Sequence, residues 1–383
     1  MTTDRPRQPR VATLLPFPLS HTGGVSTFVR GLTRAFKRDY GVELQLIAPN
    51  RFRGGPGRRV SQLALGLQLF LRLCRSRPDV VHTHEHPALL AAALVYKAVR
   101  RRNVRIVHTV HVHPAEPSAY WKRRILGILF ARCFAVTAVS EQTAQLLADV
   151  ATPVPSSVKV IRGATDIQPR SSTDESVVTF RRSTGIGSAH PVLCQISPLN
   201  FPLKVAGAQR LIEAFIQIRA RYPMARLLIV GDGLLRQSFE KACRESGVAD
   251  AVTVTGYVDD VSVPLAMSDV YCHISLQDAC PLSVLEAMRC GKPVVAARVG
   301  GIPEIVSDGV DGVLVEPVPH AVAEAVLRLL DDPDLARELG SRAAAKVAAQ
   351  FTWERAAAEF AAIYGLGPAE KNGSLGAEAV SRP

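Results

Sequence analysis

The chain has 383 residues, 47% hydrophobic and 21% charged, which excludes a disordered chain and exceeds one ordinary core, so two domains are expected. Its net charge of +12 is uneven: residues 1–190 carry 28 Lys and Arg against 11 Asp and Glu, residues 191–383 carry 18 against 23. No apolar run approaches the roughly 18 residues of a membrane span, MTTDRPRQPR lacks the apolar core of a secretory leader, and the seven cysteines form no Cys-x-x-Cys pair, so a reduced, cytoplasmic protein is expected.

The basic first half points to an acidic acceptor, an anionic membrane surface at the inner membrane face, or simply a solvated Arg-rich surface. Nucleic acid is set aside as a partner, because the arginines are not interleaved with stacking aromatics and no recognition module is readable.

Residues 1–10 read as a disordered arm. Val11 to Leu15 follows as a buried strand, then a loop through Gly23-Gly24 and a helix carried by Val25, Phe28, Val29, Leu32 and Phe36. Two glycines before a helix let a ligand approach the backbone amides, as in phosphate cradles, although turns use the same pair and the dinucleotide fingerprint Gly-x-Gly-x-x-Gly is absent. Alternation continues with Val42 to Ala48, Ser61 to Cys74, Asp79 to Thr83, Pro87 to Arg100, Val104 to Thr109, Ser118 to Arg132, Ala135 to Val139, Glu141 to Ala148 and Val158 to Ile161. Such alternation predicts a parallel sheet with helices on both faces and a ligand beyond the carboxyl ends of its strands.

Six of the ten histidines fall between positions 82 and 113. His82, His84 and His86 would share a face of a continuing strand, but Pro87 breaks the run and nothing completes a ligand set, so no metal site is expected and structural histidines at strand ends are. The segment from Tyr120 to Leu126 opens a helix with a cationic face, which suits an ordinary surface helix and equally an interfacial membrane helix.

Residues 168–190, rich in Ser, Thr and Arg, read as a linker. A second alternating series runs through Val192 to Ile196, Ala208 to Arg221, Arg226 to Val230, Leu234 to Ser246, Val252 to Thr255 and Asp269 to Ile274. Gly231-Asp232-Gly233 is a strand-to-helix turn where a base or ribose could lie against backbone. Further on come Val313 to Val315, His320 to Leu330, Asp334 to Gln350 and a last helix over 351–365, with a disordered tail at 366–383. Asp332-Pro333-Asp334 follows one helix and begins another, so it reads as capping.

The stretch Gln277 to Pro303 reads as loop, helix, turn, strand, loop, with two carboxylates eight positions apart, Asp278 and Glu286. Pro281 suits the first turn and Cys290-Gly291-Lys292-Pro293 stops the helix. Its amides and positive dipole end make a seat for an anion such as a diphosphate. Glu286, one turn in, could reach a neighbouring diol, while Asp278 lies in the loop on the other side. A ligand with hydroxyls at both ends and phosphates between fits this layout; a capping Asp and a solvated Glu is the bland alternative.

This stretch resembles the Glu-x7-Glu segment of the retaining glycosyltransferases of family 4, with Pro293-Val294-Val295 and Gly300-Gly301-Ile302-Pro303-Glu304 in the family's following strand and turn. IVGDG, VTVTGYV and SDVYCHIS stand before it in the family's order, and the likeness spans roughly residues 11–365. It implies the GT-B fold, two doubly wound Rossmann-like α/β domains facing across a cleft, with an acceptor-side domain over 11–185 and a donor domain over 186–350. The last helix, 351–365, would cross back onto the first domain. The implied reaction moves a hexosyl group from a nucleoside diphosphate sugar, UDP before other bases, to an acceptor hydroxyl with retention, using no cofactor and no metal. Lys204 and the amides around Ala279, Cys280, Pro281 and Leu282 would neutralise the diphosphate. Glu286 would bind the ribose diol, Asp278 the sugar hydroxyls, and Gly231 would lie against the nucleoside. His111 and Gly23-Gly24 would contribute from the opposite wall.

Three departures stand out. The first Glu is Asp278, one methylene shorter; the usual Asn-Gly-Val-Asp is Gly163-Ala164-Thr165-Asp166; and the arginine that normally clamps the diphosphate is replaced by Pro198 or Asn200, with Lys204 two residues early. Losing one charged stabiliser typically costs about 10²–10³ in rate. Either Arg162 or Arg298 substitutes, or the chain is a slow enzyme or a noncatalytic sugar-nucleotide-binding protein.

Overall fold

In a computed structural model, which describes residues 8–18, 23–49, 58–100, 103–112, 120–151 and 157–367, the alternating runs become two parallel sheets of six strands each. The first series is β1 (Val11–Leu14), α1 (Gly24–Tyr40), β2 (Gln45–Ile47), α2 (Arg58–Ser76), β3 (Val80–His84), α3 (Pro87–Arg100), β4 (Arg105–Val110), α4 (Tyr120–Ala131), β5 (Ala135–Ala138), α5 (Glu141–Val150) and β6 (Val158–Val160). The strands lie in the order β2-β1-β3-β4-β5-β6. Consecutive residues Ile106 and Val107 are both fully buried, because helices cover both faces and each strand must be apolar on both sides.

After α6 (Glu175–Ser183) the second series is β7 (Val192–Ile196), α7 (Pro202–Arg221), β8 (Arg226–Val230), α8 (Arg236–Glu245), β9 (Val252–Gly256), α9 (Ser262–Ala266), β10 (Val270–His273), α10 (Leu282–Arg289), β11 (Val294–Ala297) and β12 (Val313–Val315). It ends in α11 (Pro319–Asp331), α12 (Pro333–Gln350) and α13 (Trp353–Tyr364). This sheet runs β12-β11-β10-β7-β8-β9, so the chain reverses direction between β7 and β10. In the first sheet the reversal lies between β1 and β3. Loops leaving adjacent strands at such a point diverge and open a crevice, which places a ligand site beyond each reversal.

Helix α13 crosses back and completes the core of the first sheet: Trp353, Phe360 and Tyr364 pack with Phe28, Leu32 and Phe36. The Tyr364 ring stacks on Phe36 at 5.3 Å, and its hydroxyl lies 2.6 Å from His82 Nδ1. Gly31 of α1 permits this crossing, since a Cβ there would overlap the Trp353 indole.

Several expectations are corrected. The linker over 168–190 contains α6, capped by Asp174 through Ser176 N and packed on α9, because Val177 and Phe180 supply an apolar face within a polar stretch. The arm over 1–10 lies outside the described residues through residue 7, whereas Arg10 N donates to Asp79 at 2.9 Å and joins the sheet edge. The tail from 366 begins with Leu366, which is buried in the first core; residues 368–383 lie outside the described residues. Helix α7 begins at Pro202 rather than Ala208, since Pro202 suits the first helical turn. The expected capping at Asp332-Pro333-Asp334 is found: Asp332 caps α12, accepting from Leu335 N at 3.0 Å.

Replacing Gly31 by Leu should destabilise the protein by roughly 1–3 kcal/mol through overpacking against Trp353. Gly66→Ala in α2, where a Cβ meets nothing within 4 Å, should leave stability unchanged or raise it slightly. Denaturant titration of the two variants checks the contrast; equal stabilities would mean that α13 does not seat on α1.

Candidate active site

At the β7/β10 reversal the two diverging loops are locked together by backbone. Leu276 N donates to Leu203 O at 3.1 Å, and Gly207 packs so closely on Ile274 and Ser275 that no side chain would fit. This fixes the first turn of α7 and points Lys204 at the loop after β10, where its Nζ lies 2.6 Å from Asp278 Oδ2. The same oxygen lies 3.0 Å from Nε2 of His273, the last residue of β10, while Asp278 Oδ1 accepts from Ala279 N at 3.0 Å. Asp278 is only 8% exposed. Burial works against its charge, but Lys204 and His273 outweigh it and hold the carboxyl below the usual range.

Four residues further on, α10 starts after Pro281. The amides of Leu282 and Ser283 have no partner among the described residues, as expected at a helix N-terminus. Gly163 of the first series abuts Leu282 and Cys280, so the start of α10 faces the junction between the sheets. One turn in, the Glu286 carboxylate has no hydrogen-bond or ion-pair partner among the described residues. Burial, reinforced by Asp166, raises its pKa to about 7. A partly buried carboxylate left without donors is costly, and a ligand diol would supply them.

The residues at the position of the missing arginine serve packing instead. Asn200 Oδ1 accepts from Leu234 N at 2.8 Å, and Leu199 exchanges backbone hydrogen bonds with Asp232 and Leu235. The Gly231-Asp232-Gly233 turn lies directly on this loop: a Cβ on Gly231 would strike Ser197 O, and one on Gly233 the Leu199 carbonyl. Gly231 therefore brings two loops together at the edge of the crevice. The proposed substitutes are occupied elsewhere. Arg162 pairs with Glu304 at 2.7 Å, and Arg298 pairs with Asp308.

On the opposite side His111 follows β4. Its Nε2 lies 2.8 Å from His84 Nδ1, and its ring meets Phe28 edge-on at 4.7 Å. Burial, with His108 nearby, lowers the His111 pKa to about 3, so its ring is neutral. Glu85 clasps this turn: its Oε1 accepts from His111 N and from Val112 N, which lies 2.7 Å away. Glu85 itself adopts a left-handed φ of 61°, which aims its carboxyl back at β4. Gly23 is the N-cap of α1, and a Cβ on Gly24 would meet nothing, so this helix start is open; residues 19–22 before it lie outside the described residues. His82 and His84 are buried neighbours with ring centroids 4.1 Å apart, whereas His86 leaves the strand and accepts from Ala88 N at the start of α3.

The sheets are joined beside this cleft. Glu304 accepts from Glu141 N at 2.9 Å and Gln142 N at 3.1 Å, capping α5 from across the junction, and a Cβ on Gly301 would strike Ala279 O and Ser140.

Comparison with known proteins matches residues 190–332 to the family model described as glycosyl transferases group 1 and residues 22–168 to glycosyltransferase family 4. The chain is 30% identical over 315 residues to the N-acetyl-alpha-D-glucosaminyl L-malate synthase of Bacillus anthracis, covering 79% of this chain and 78% of that one. The chain belongs to glycosyltransferase family 4. Its fold matches sucrose-phosphate synthase from Thermosynechococcus elongatus, with a TM-score of 0.75 at 21% identity over 94% of this chain and 98% of that one. It matches equally HepE of Anabaena in complex with UDP-glucose, with a TM-score of 0.75 at 20% identity over 94% and 100%. The two sheets with their facing crevices are thus a GT-B fold, and the protein is a glycosyltransferase.

In this glycosyltransferase His273 and Glu85 are site-adjacent residues that sequence reasoning passed over, and Glu304 was read only as part of its turn. His273 stands in SDVYCHIS, five residues before Asp278, and a polar residue ending an apolar strand was its signal. Glu85 was hidden by its left-handed backbone. Among the described residues no helix is long and apolar enough to cross a membrane, and no three His, Cys, Asp or Glu side chains could hold a metal ion.

Glu286 has a folded pKa near 7, above its unfolded value, so the folded chain binds the extra proton and stability falls as pH rises from about 4.5 through 7. Glu286→Gln should remove that fall and leave the variant about 1–3 kcal/mol more stable than wild type at pH 8, and no more stable at pH 4.5. Denaturant melts at the two pH values test this; a parallel dependence in both proteins would refute the buried, partnerless carboxylate.

Proposed function

We propose that this glycosyltransferase moves a sugar from a nucleoside diphosphate sugar to an acceptor hydroxyl with retention at the anomeric carbon and without a metal. The observation that carries this reading is the Glu286 carboxylate, without a partner among the described residues, one helical turn beyond the α10 N-terminus, with the Lys204–Asp278 pair on the other side. A ribose diol would satisfy Glu286, and the diphosphate would sit between the α10 amides and Lys204. Asp278 would hold hydroxyls of the transferred sugar, and the neutral His111 would face them from the other wall. The bond between the anomeric carbon and the phosphate oxygen breaks, the acceptor oxygen bonds to the same face, and the acceptor proton passes to the leaving phosphate. UDP is the first base to try, since HepE was solved with UDP-glucose, although a relative from Mycobacterium tuberculosis, 33% identical over 48% of this chain, is named as GDP-mannose-dependent.

Calorimetry without metal, with UDP, GDP and dTDP, tests the donor site. One nucleotide should bind wild type in the micromolar range, and Glu286→Ala should weaken it at least tenfold by removing the acceptor for the diol, about 1.4 kcal/mol. No binding by any of the three would sink the proposal.

A membrane-borne acceptor is favoured by one surface. On α4 Ile125 and Ile128 are 49% and 39% exposed beside the exposed Arg124, an apolar and cationic face one turn long. Wild type should co-sediment with vesicles of phosphatidylglycerol but not phosphatidylcholine, and Ile125→Glu should abolish this. Absence of binding to either vesicle would leave a soluble acceptor as the reading.

A further inference from the structure

We propose that His273 is a positioning residue that keeps Asp278 compensated while Lys204 follows the charge on the leaving phosphate. The inference rests on the donor site proposed above and adds a residue that the resemblance does not assign.

His273 ends β10 and is 2% exposed. Its Nε2 lies 3.0 Å from Asp278 Oδ2, and its Nδ1 lies 3.3 Å from the Tyr271 hydroxyl. An ionised carboxylate only accepts, so Nε2 carries the proton on that side. The Tyr271 hydroxyl also lies 3.4 Å from Ile196 O, at the end of β7. A chain of contacts thus runs from the end of β7 through Tyr271 and His273 to Asp278 and Lys204.

The function of this chain follows from counting partners. In the present arrangement Oδ2 is shared by the His273 N–H and the Lys204 ammonium, 3.0 and 2.6 Å away. A diphosphate on α10 competes for the same ammonium, most strongly as the leaving oxygen gains charge. If Lys204 were the only partner of Oδ2, drawing it away would leave that buried oxygen less compensated, and Lys204 would be held more tightly on Asp278. With His273 in place Oδ2 keeps a donor, so Lys204 can shift toward the phosphate at less cost. Asp278 is also one methylene shorter than the glutamate of the resembled family. The ring of His273 closes that gap from the strand side and fixes where the short carboxylate stands. The benefit arises as charge develops, so it belongs to turnover rather than to affinity for the intact nucleotide sugar.

The test uses the whole protein and the nucleotide sugar that calorimetry selects, with release of nucleoside diphosphate to water as readout, so that no acceptor is needed. His273→Phe should lower turnover roughly 10–100-fold, the usual effect of losing a partner that orients a reacting group. Its affinity for the intact nucleotide sugar, whose bridging oxygen is uncharged, should stay within about twofold of wild type. His273→Gln places an amide N–H near the position of Nε2 and should restore turnover to within about threefold. A Phe variant as fast as wild type, a Gln variant as slow as Phe, or a parallel loss of affinity overturns the proposal. Imidazole nitrogen shifts of the wild type, assigned by the signals lost in His273→Gln, should show a protonated Nε2; a bare Nε2 would also overturn it. Wild type that releases nucleotide from no donor counts against the proposed function alone, and the nitrogen shifts then decide the His273 assignment.

Discussion

The site depends on one buried ion pair, Lys204 with Asp278, placed where the second sheet reverses direction. A carboxylate 8% exposed and an ammonium 19% exposed survive there because each has further partners or solvent, and because the backbone that carries them is fixed independently. Leu203 bonds to Leu276 and Gly207 lies on Ser275, so the loops after β7 and β10 meet before any side chain is considered. Such a pair contributes little net stability. Its value lies in placing one positive and one negative charge at the rim of an anion seat.

The cleft itself follows from topology. Each sheet opens a crevice at its own reversal, and the two crevices face each other because α13 packs with the first core and the turn at Gly300 to Glu304 docks on α5. Glu304 joins the sheets at the N-terminus of α5, where its charge meets the helix dipole, two free amides and Arg162. That arrangement holds the Arg162 guanidinium at Glu304. The opposing wall is built from neutral groups: His84, His108 and His111 are all held deprotonated by burial, and the nearby acid, Glu85, spends its oxygen on two backbone amides.

Much of the fold was legible because a parallel sheet writes itself in long apolar runs. Val192 to Ile196, Arg226 to Val230, Val313 to Val315 and Pro87 to Arg100 have the bounds read from pattern alone. The failures have physical causes. The start of α7 was set six residues late because Lys204 and Pro202 break the apolar pattern, though proline favours a first turn. Helix α6 hides in a polar stretch because its nine residues hold few apolar positions, and the Asp174 cap with the packing of Val177 and Phe180 stabilises it. At the site, the two carboxylates and Lys204 were visible as spacing and resemblance, whereas the His273 contact depends on a turn between strand and helix that folds residue 278 back onto residue 273. No periodicity reports that. Glu85 escaped for the same reason, since a left-handed non-glycine residue leaves no mark in the pattern.

The uncharged residues at the expected arginine position gain meaning from their neighbours. Asn200 ties the loop after β7 to Leu234, and Leu199 meets Asp232 and Leu235, so this loop acts as a backbone brace for the Gly231 turn rather than as a charged arm. The positive potential available to an anion on α10 then comes from the Lys204 ammonium and the helix amides, one mobile charge and one fixed dipole. The amides are aimed before any reaction begins and so act more strongly as charge develops on a leaving oxygen, whereas the ammonium would add to them only by shifting away from Asp278. In the donor site proposed above, the surroundings of Asp278, and His273 first among them, would then set how freely that ammonium moves.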